Sequence, residues 1–242
     1  MFLQTQLLDR ILIYKGFLSQ NVLTNDFELL NQNEKRRAEN ILIEKNRKMF
    51  IKCRSILKLL LSNLVGIKTD NLEIYEGVNG KPYLNQKDVF FNVSHSGDCF
   101  VIAITHLGPI GIDVEQKNRI MDCSKIKSFL FSESELKLFD CLEQESKQEA
   151  MINAWTRKES FFKALGSGLT SPLKELEVNF VSGSEPSIQK IGWGNDEKEN
   201  WKMISLDINE EYIGVISVQT RLENPVLTEL TFENLQERNL FN

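Results

Sequence analysis

The sequence predicts an α/β protein, of the α+β kind, made of two similar units that each combine a long helix with antiparallel strands. Three observations carry this. Apolar residues at helical spacing run from about Lys45 to Leu64 and again from about Glu149 to Leu165, where Gly166-Ser167-Gly168 supplies a stop. Strand-like runs follow each helix in the same order: Leu72 to Glu76, Val89 to Val93 and Phe100 to Thr105 after the first, then Leu176 to Phe180, Trp201 to Leu206 and Ile213 to Gln219 after the second. Leu107 to Gly111 carries the Gly and Pro of a junction and divides the chain into units 1–108 and 109–242. Clefts at such junctions are where small-molecule sites tend to lie.

Within the first unit, Glu34 to Lys58 is basic and helix-favouring and reads as two helices, with Met49, Phe50, Cys53, Ile56, Leu57 and Leu60 as the apolar stripe. Asn79-Gly80-Lys81-Pro82-Tyr83 is a tight turn entering a strand. The strand from Val89 ends in Ser94-His95-Ser96-Gly97, and Ile110 to Val114 is a short buried strand. Ser182 to Asn200 reads as a surface excursion, and the tail after Asn224 as a docked helix or strand.

Composition narrows the class. A chain of 242 residues with 41% hydrophobic content has enough apolar material for one large core or two smaller ones. Cys53, Cys99, Cys123 and Cys141 show no C-x-x-C spacing, which predicts reduced thiols and a cytoplasmic setting rather than a zinc site. Asp9, Arg10 and Lys15 interrupt the apolar N-terminal stretch, so neither an export signal nor a membrane span is expected. A net charge of −5 argues against broad nucleic-acid binding while leaving room for local basic clusters that meet an anion.

The acids are the most informative residues. Alternation along a strand sends Asp113 and Glu115 to one face. Glu159 lies on the following helix with Lys163 one turn later on the same side. An isolated Asp-x-Glu is most often a solvated strand edge. Here Asp113 follows Gly108, Pro109 and Gly111 in an apolar segment, and Glu159 interleaves with Trp155, Phe161, Phe162 and Leu165, so these charges lie near a core. Three carboxylates from a strand and a helix form an oxygen-rich set suited to Mg²⁺. Arg54 sits beside the buried helix stripe and is the basic residue of that segment best placed for a ligand. Ser94 and His95 offer a hydroxyl and an imidazole suited to phosphate oxygens. A Ser-His-Asp hydrolase is not supported, because adjacent strand residues point oppositely and no G-x-S-x-G elbow is present.

Gly80-Lys81-Pro82, Phe91-Asn92-Val93-Ser94-His95-Ser96, Gly111-Ile112-Asp113-Val114-Glu115 and Trp155-Thr156-Arg157-Lys158-Glu159-Ser160-Phe161-Phe162-Lys163-Ala164, with Gly166, Gly168 and Leu169, together resemble the 4′-phosphopantetheinyl transferase superfamily in its larger, single-chain, surfactin-synthetase-activating type. The first forty residues and the last twenty resemble it only loosely. The resemblance implies a pseudo-dimeric fold, coenzyme A as donor, Mg²⁺ as cofactor and a serine of an apo carrier protein as acceptor. By position, Asp113, Glu115 and Glu159 would be metal ligands. Ser94, His95, Lys81 and Arg54 would hold coenzyme A, with Lys163 at the reacting phosphoryl group and Glu159, directly or through a bound water, as base. Lys35, Arg36 and Lys45 are weaker matches to the family's upstream basic contacts.

Carrier proteins of this class are acidic, so a local basic rim is expected. Lys117, Arg119, Lys125 and Lys127 supply one after the Asp-x-Glu strand, with Leu130 and Phe131 as apolar anchors of a docking loop. If the halves pair within one chain, a monomer suffices. Two rivals use the same residues: a metal-dependent phosphodiesterase, for which a second metal's ligands are missing, and a non-catalytic coenzyme A or carrier-binding module.

Overall fold

The run Cys99–Thr105 is buried at every position, and that continuous burial identifies it as the centre of the fold. The computed structural model describes residues 9–19, 25–86, 88–168, 172–193 and 198–230. In chain order the elements are β1 (Arg10–Phe17), α1 (Gln32–Glu39), α2 (Glu44–Val65), β2 (Tyr75–Glu76), β3 (Pro82–Tyr83), β4 (Phe90–Ser96), β5 (Cys99–Thr105), β6 (Ile110–Gln116), α3 (Cys123–Leu130), α4 (Glu133–Asp140), α5 (Gln144–Leu165), β7 (Leu176–Val178), β8 (Ile188–Ile191), β9 (Trp201–Leu206), β10 (Tyr212–Gln219) and β11 (Val226–Leu230).

The larger sheet has the order β11-β1-β5-β4 and the second β6-β10-β9. Each half therefore uses one connectivity: a first strand, a long helix, then a hairpin whose second strand pairs with the first. In both halves those pairs are antiparallel. The helices correspond as well, since α2 and α5 are each 22 residues long and each ends on a left-handed glycine, Gly66 at φ 72° and Gly166 at φ 71°. Only glycine adopts that conformation without a Cβ penalty, which is why the apolar periodicity stops there. The parallel pairing of β11 with β1 departs from the repeat and carries a strand of the second half into the sheet of the first.

Alternation on β1 and β5 explains the layers. Leu12, Tyr14, Phe100, Ile102 and Ile104 pack with Cys53, Ile56, Leu57, Leu60 and Leu64 of α2. Ile11, Ile13, Val101 and Ala103 face the other way, onto Ile110, Ile112, Val114, Ile216 and Val218 of the second sheet. The result is helix, sheet, sheet, helix, with α5 covering the far face of β6 and β10. A strand buried on both faces has no polar alternation, so β1 is hidden from a period-two reading and was not foreseen.

Other expectations shift. The strand expected over Leu72 to Glu76 shrinks to the two residues of β2, preceded by the short 3-10 turn Thr69–Asn71. The excursion Ser182 to Asn200 contains β8, paired with β7. The tail after Asn224 is a strand as far as Leu230, and the residues beyond it, like Leu169, lie outside the described ones. The four cysteines are free thiols, Cys53 and Cys99 buried. No helix among the described residues is long and apolar enough to cross a membrane.

Candidate active site

The two sheets, packed face to face, also join along one edge of each, β4 and β6, and side chains make the join. Every second residue of β4 accepts a main-chain N–H of β6: Ile112 N donates to Asn92 Oδ1 at 2.9 Å, Val114 N to Ser94 Oγ at 3.2 Å and Gln116 N to Ser96 Oγ at 3.3 Å. These bonds satisfy an edge that would otherwise leave buried donors unpaired. They also set the register that brings the acids to the seam.

Asp113 and Glu115 point from β6 towards this seam. Ser94 Oγ donates to Asp113 Oδ1 at 3.0 Å, and Ser96 Oγ to Glu115 Oε2 at 2.8 Å. Lys163 Nζ reaches across from α5 to Asp113 Oδ1 at 2.5 Å and to Ser94 Oγ at 2.9 Å. Strand, strand and helix thus converge on a single hydroxyl. Arg119 pairs with Glu115 Oε1 while its guanidinium lies 5.8 Å above the Trp155 ring.

Gly111 lets α5 come this close. A Cβ there would overlap the main-chain oxygen of Ser160 and the nitrogen of Ala164, so the helix backbone rests directly on the strand. Buried Ser160 and Ser217 seal the contact, their hydroxyls 2.7 Å apart.

Electrostatics follow from crowding. Burial pushes the Glu159 carboxyl above its ordinary range and the negative charge of Asp113 adds to the rise, with Lys163 opposing it. Glu115 is raised first by burial and then by Asp113, against the pull of Ser96, Arg119 and Lys163. Asp113 Oδ2 is buried and has no hydrogen-bond partner among the described residues. A seam with two raised glutamates beside Asp113 and one orphaned Asp113 oxygen has the oxygen donors a divalent cation takes. Yet among the described residues no three His, Cys, Asp or Glu side chains converge as a ready ligand shell; the chain's own cations lie on Asp113 and Glu115.

A cleft of about 220 Å³ opens beside the seam, lined among others by Lys81, Asn92, Val93, Glu159, Phe162 and Lys163. A larger recess of about 500 Å³ between α4 and the β7-β8 ribbon shares none of these residues, and its mixed Lys and Glu lining has no link to the seam.

The remaining candidates are placed as follows. His95, on the opposite face of β4 from Ser94, is exposed; desolvation by surrounding protein, then the Lys163 charge, hold its imidazole below the ordinary value, against Asp113. Lys81 Nζ donates to the carbonyls of Ile110 at 2.9 Å and Ala164 at 2.7 Å, stapling the β2-β3 hairpin to the end of α5, and burial depresses its pKa to about 8. Arg54 is drawn into a separate network, 3.6 Å from Glu34, 3.8 Å from Glu76 and 5.7 Å above the Phe50 ring that Arg37 also covers. Lys35 pairs with Glu28, Lys45 pairs with Asp98, and Arg36 is exposed.

On the docking segment, Lys117 is exposed, Lys125 pairs with Asp122 at 2.9 Å and Lys127 with Asp140 at 3.0 Å. Leu130 and Phe131 correct the expectation: at 0% and 2% exposure they belong to the core beneath α3, because the turn after α3 directs them inward against Phe139 and Phe180. The exposed apolar residues of that segment are Ile120 and Phe129. Asn92 and Ser96 were given no role from sequence, although their alternation with Ser94 opposite Asp113 and Glu115 was the available signal.

A four-layer, internally repeated α/β protein with a polar seam of Ser, Asp, Glu and Lys beside a cleft is the class this geometry defines. Comparison with known proteins makes it specific. Residues 19–107 match a family model described as 4′-phosphopantetheinyl transferase, N-terminal, and residues 109–216 one described as 4′-phosphopantetheinyl transferase superfamily. The 4′-phosphopantetheinyl transferase HetI of a Nostoc species is 25% identical over 193 residues, 78% of each chain. The transferase gsp of Aneurinibacillus migulanus is 26% identical over 181 residues, 74% of this chain and 73% of its own. A 4′-phosphopantetheinyl transferase of Bacillus subtilis is 33% identical over 135 residues, 55% and 57% of the two chains. The chain belongs to the 4′-phosphopantetheinyl transferase superfamily and is a transferase.

Two outcomes are expected. Gly111→Ala pushes α5 off β6, which lowers stability by about 1–3 kcal/mol in denaturant titration and abolishes activity, since Lys163 loses Asp113. Lys81 has a folded pKa of about 8, below its unfolded value, so between the two the unfolded chain holds more protons. Stability from this group is therefore flat below about pH 8 and rises with pH above it. The gap between the unfolding midpoints of wild type and Lys81→Met is expected to be constant below about pH 8 and to change above it, as wild type gains stability relative to the variant; a parallel offset at all pH values contradicts the assignment.

Proposed function

We propose that the protein transfers the 4′-phosphopantetheine group of coenzyme A to a serine of an apo acyl or peptidyl carrier protein and releases 3′,5′-bisphosphoadenosine. The supporting observation is the convergence of Ser94, Asp113 and Lys163 next to Glu159 at the cleft. Units 1–108 and 109–242 are taken as its two halves, and a reducing cytoplasm suits four free thiols.

In the reaction the serine oxygen forms a bond to the β-phosphorus of coenzyme A as the bond from that phosphorus to the bridging oxygen breaks. Glu159 takes the serine proton, directly or through a water. Its raised affinity for protons moves it towards the working range of a general base, help of a kind that contributes ~10²–10⁴-fold. Lys163 sits where it can steady charge on the departing bisphosphate oxygen. Asp113, Glu115 and Glu159 would hold Mg²⁺, which when bound neutralises and orients diphosphate oxygens. Ser94 and Ser96 orient two of these acids, and His95, near the charges of Lys163 and Asp113, meets phosphate oxygens. Lys81 acts in this reading as a wall of the coenzyme A site, its charge tethered to main-chain carbonyls, and Arg54 would reach coenzyme A only from its own network with Glu34 and Glu76.

The carrier docks at the segment after β6, where Lys117, Arg119, Lys125 and Lys127 meet acidic residues of the partner and Ile120 and Phe129 replace Leu130 and Phe131 as its apolar contacts.

Incubation with coenzyme A, Mg²⁺ and an apo carrier, read by intact mass, is expected to add one phosphopantetheine to the carrier. An unchanged carrier mass, across a panel of fatty-acid, polyketide and peptide-synthetase carriers, rejects the reading. Charge reversal at Lys125 and Lys127 is expected to raise the KM for carrier while leaving that for coenzyme A alone; equal changes in both reject the docking assignment.

A further inference from the structure

Lys158, beside Glu159, is a fully buried cation that takes no part in the chemistry above. Its ammonium donates to Leu130 O at 2.7 Å, Glu135 Oε2 at 2.6 Å and Leu173 O at 2.9 Å, so all three of its donors are used. Glu135 is itself saturated. It accepts from Ser132 N at 2.9 Å as the capping-box acid of α4 and, through Oε1, from Val178 N at 2.9 Å on β7. One ion pair thus ties the last turn of α3, the first turn of α4, the turn Leu173–Glu175 leading into β7, and α5.

Where α5 rests on the second sheet, Gly111, Ser160, Ala164 and Ser217 are small and permit close approach. The helix is held there by Ser160 on Ser217 and by Lys163 on Asp113 and Ser94, and Arg157 adds bonds to Asn179 and Ser184, so the Lys158–Glu135 pair is the grip on the side of α3 and α4. Successive helix residues are ~100° apart around the axis, so the direction taken by Lys158 fixes that of Glu159, and Lys163 follows one turn on. Buried ion pairs seldom raise stability over apolar substitutes, which makes stability alone a poor account of this one.

We propose that Lys158 is a positioning residue: clamped by Glu135, it sets the rotation of α5 and so aims Glu159 and Lys163 at the seam. It also links that aim to the end of α3, the helix that follows the carrier-facing segment. This inference rests on the transferase reading. Displacements on the order of 1 Å in such sites can lower rates by about 10²-fold.

The test replaces the pair rather than breaking it, because Lys158→Met alone strands a buried carboxylate. Glu135→Leu with Lys158→Met leaves Ser132 N and Val178 N without their acceptor, so it is expected to fold with a lowered Tm and to keep the KM for coenzyme A, while kcat for carrier labelling drops by about 10–100-fold. A folded double variant with wild-type kcat overturns the proposal. Should that variant fail to fold, Glu135→Gln, which keeps the volume, decides: kcat falls at constant KM, or the clamp has no positioning role. Wild-type protein that labels no carrier counts instead against the transferase reading.

Discussion

The Ser94 hydroxyl is the contact on which the rest of the structure turns. It accepts from Val114 N and from Lys163, and donates to Asp113, so one oxygen holds the edge of one sheet, the edge of the other and the long helix of the second half. Around it the fold solves an ordinary problem. Two small sheets joined along one edge leave an unpaired row of main-chain donors, and three side chains of β4 answer it. Two of these side chains, Ser94 and Ser96, also donate to the buried carboxylates of Asp113 and Glu115, beside the cations Lys163 and Arg119. Closing the interface and building the site are one act.

The packing behind the seam has a matching logic. Both long helices cover outer faces, so the apolar layer between the sheets is continuous from Ile11 and Val101 to Ile112 and Ile216. The acids Asp113, Glu115 and Glu159 gather at the rim where β4, β6 and α5 meet. Burial, and then the charge of Asp113, raises the proton affinity of Glu115 and Glu159, and Lys163 and Arg119 oppose the rise. These charges are held on rigid elements, two strand edges and a long helix.

Much of this was legible in the sequence, for physical reasons. α2 and α5 were visible because a 3.6-residue period persists over many turns and ends on glycine, a local signal at both levels. Asp113, Glu115, Glu159 and Lys163 were visible because charges set in apolar, glycine-bearing segments must be near a core. β1 was not, since burial on both faces erases alternation and its partners β5 and β11 lie far along the chain. Asn92 and Ser96 were passed over because side-chain bonds between sheets are tertiary facts. Leu130 and Phe131 misled for a related reason: an apolar pair after a basic run serves equally as a surface anchor or as the floor of a core, and the turn after α3 decides between them. Lys81 and Arg54 read as free cations, and only the fold shows carbonyl and carboxylate partners beside them.

The most direct measurement is a double-mutant cycle across the seam, with Ser94→Ala, Lys163→Met and their combination assayed for kcat of carrier labelling. A shared hydroxyl that holds both Asp113 and Lys163 predicts strong non-additivity, a coupling of about 0.5–3 kcal/mol. Effects that add to within ~0.5 kcal/mol would show that Ser94 and Lys163 act independently, and the account of a single joining contact would be wrong.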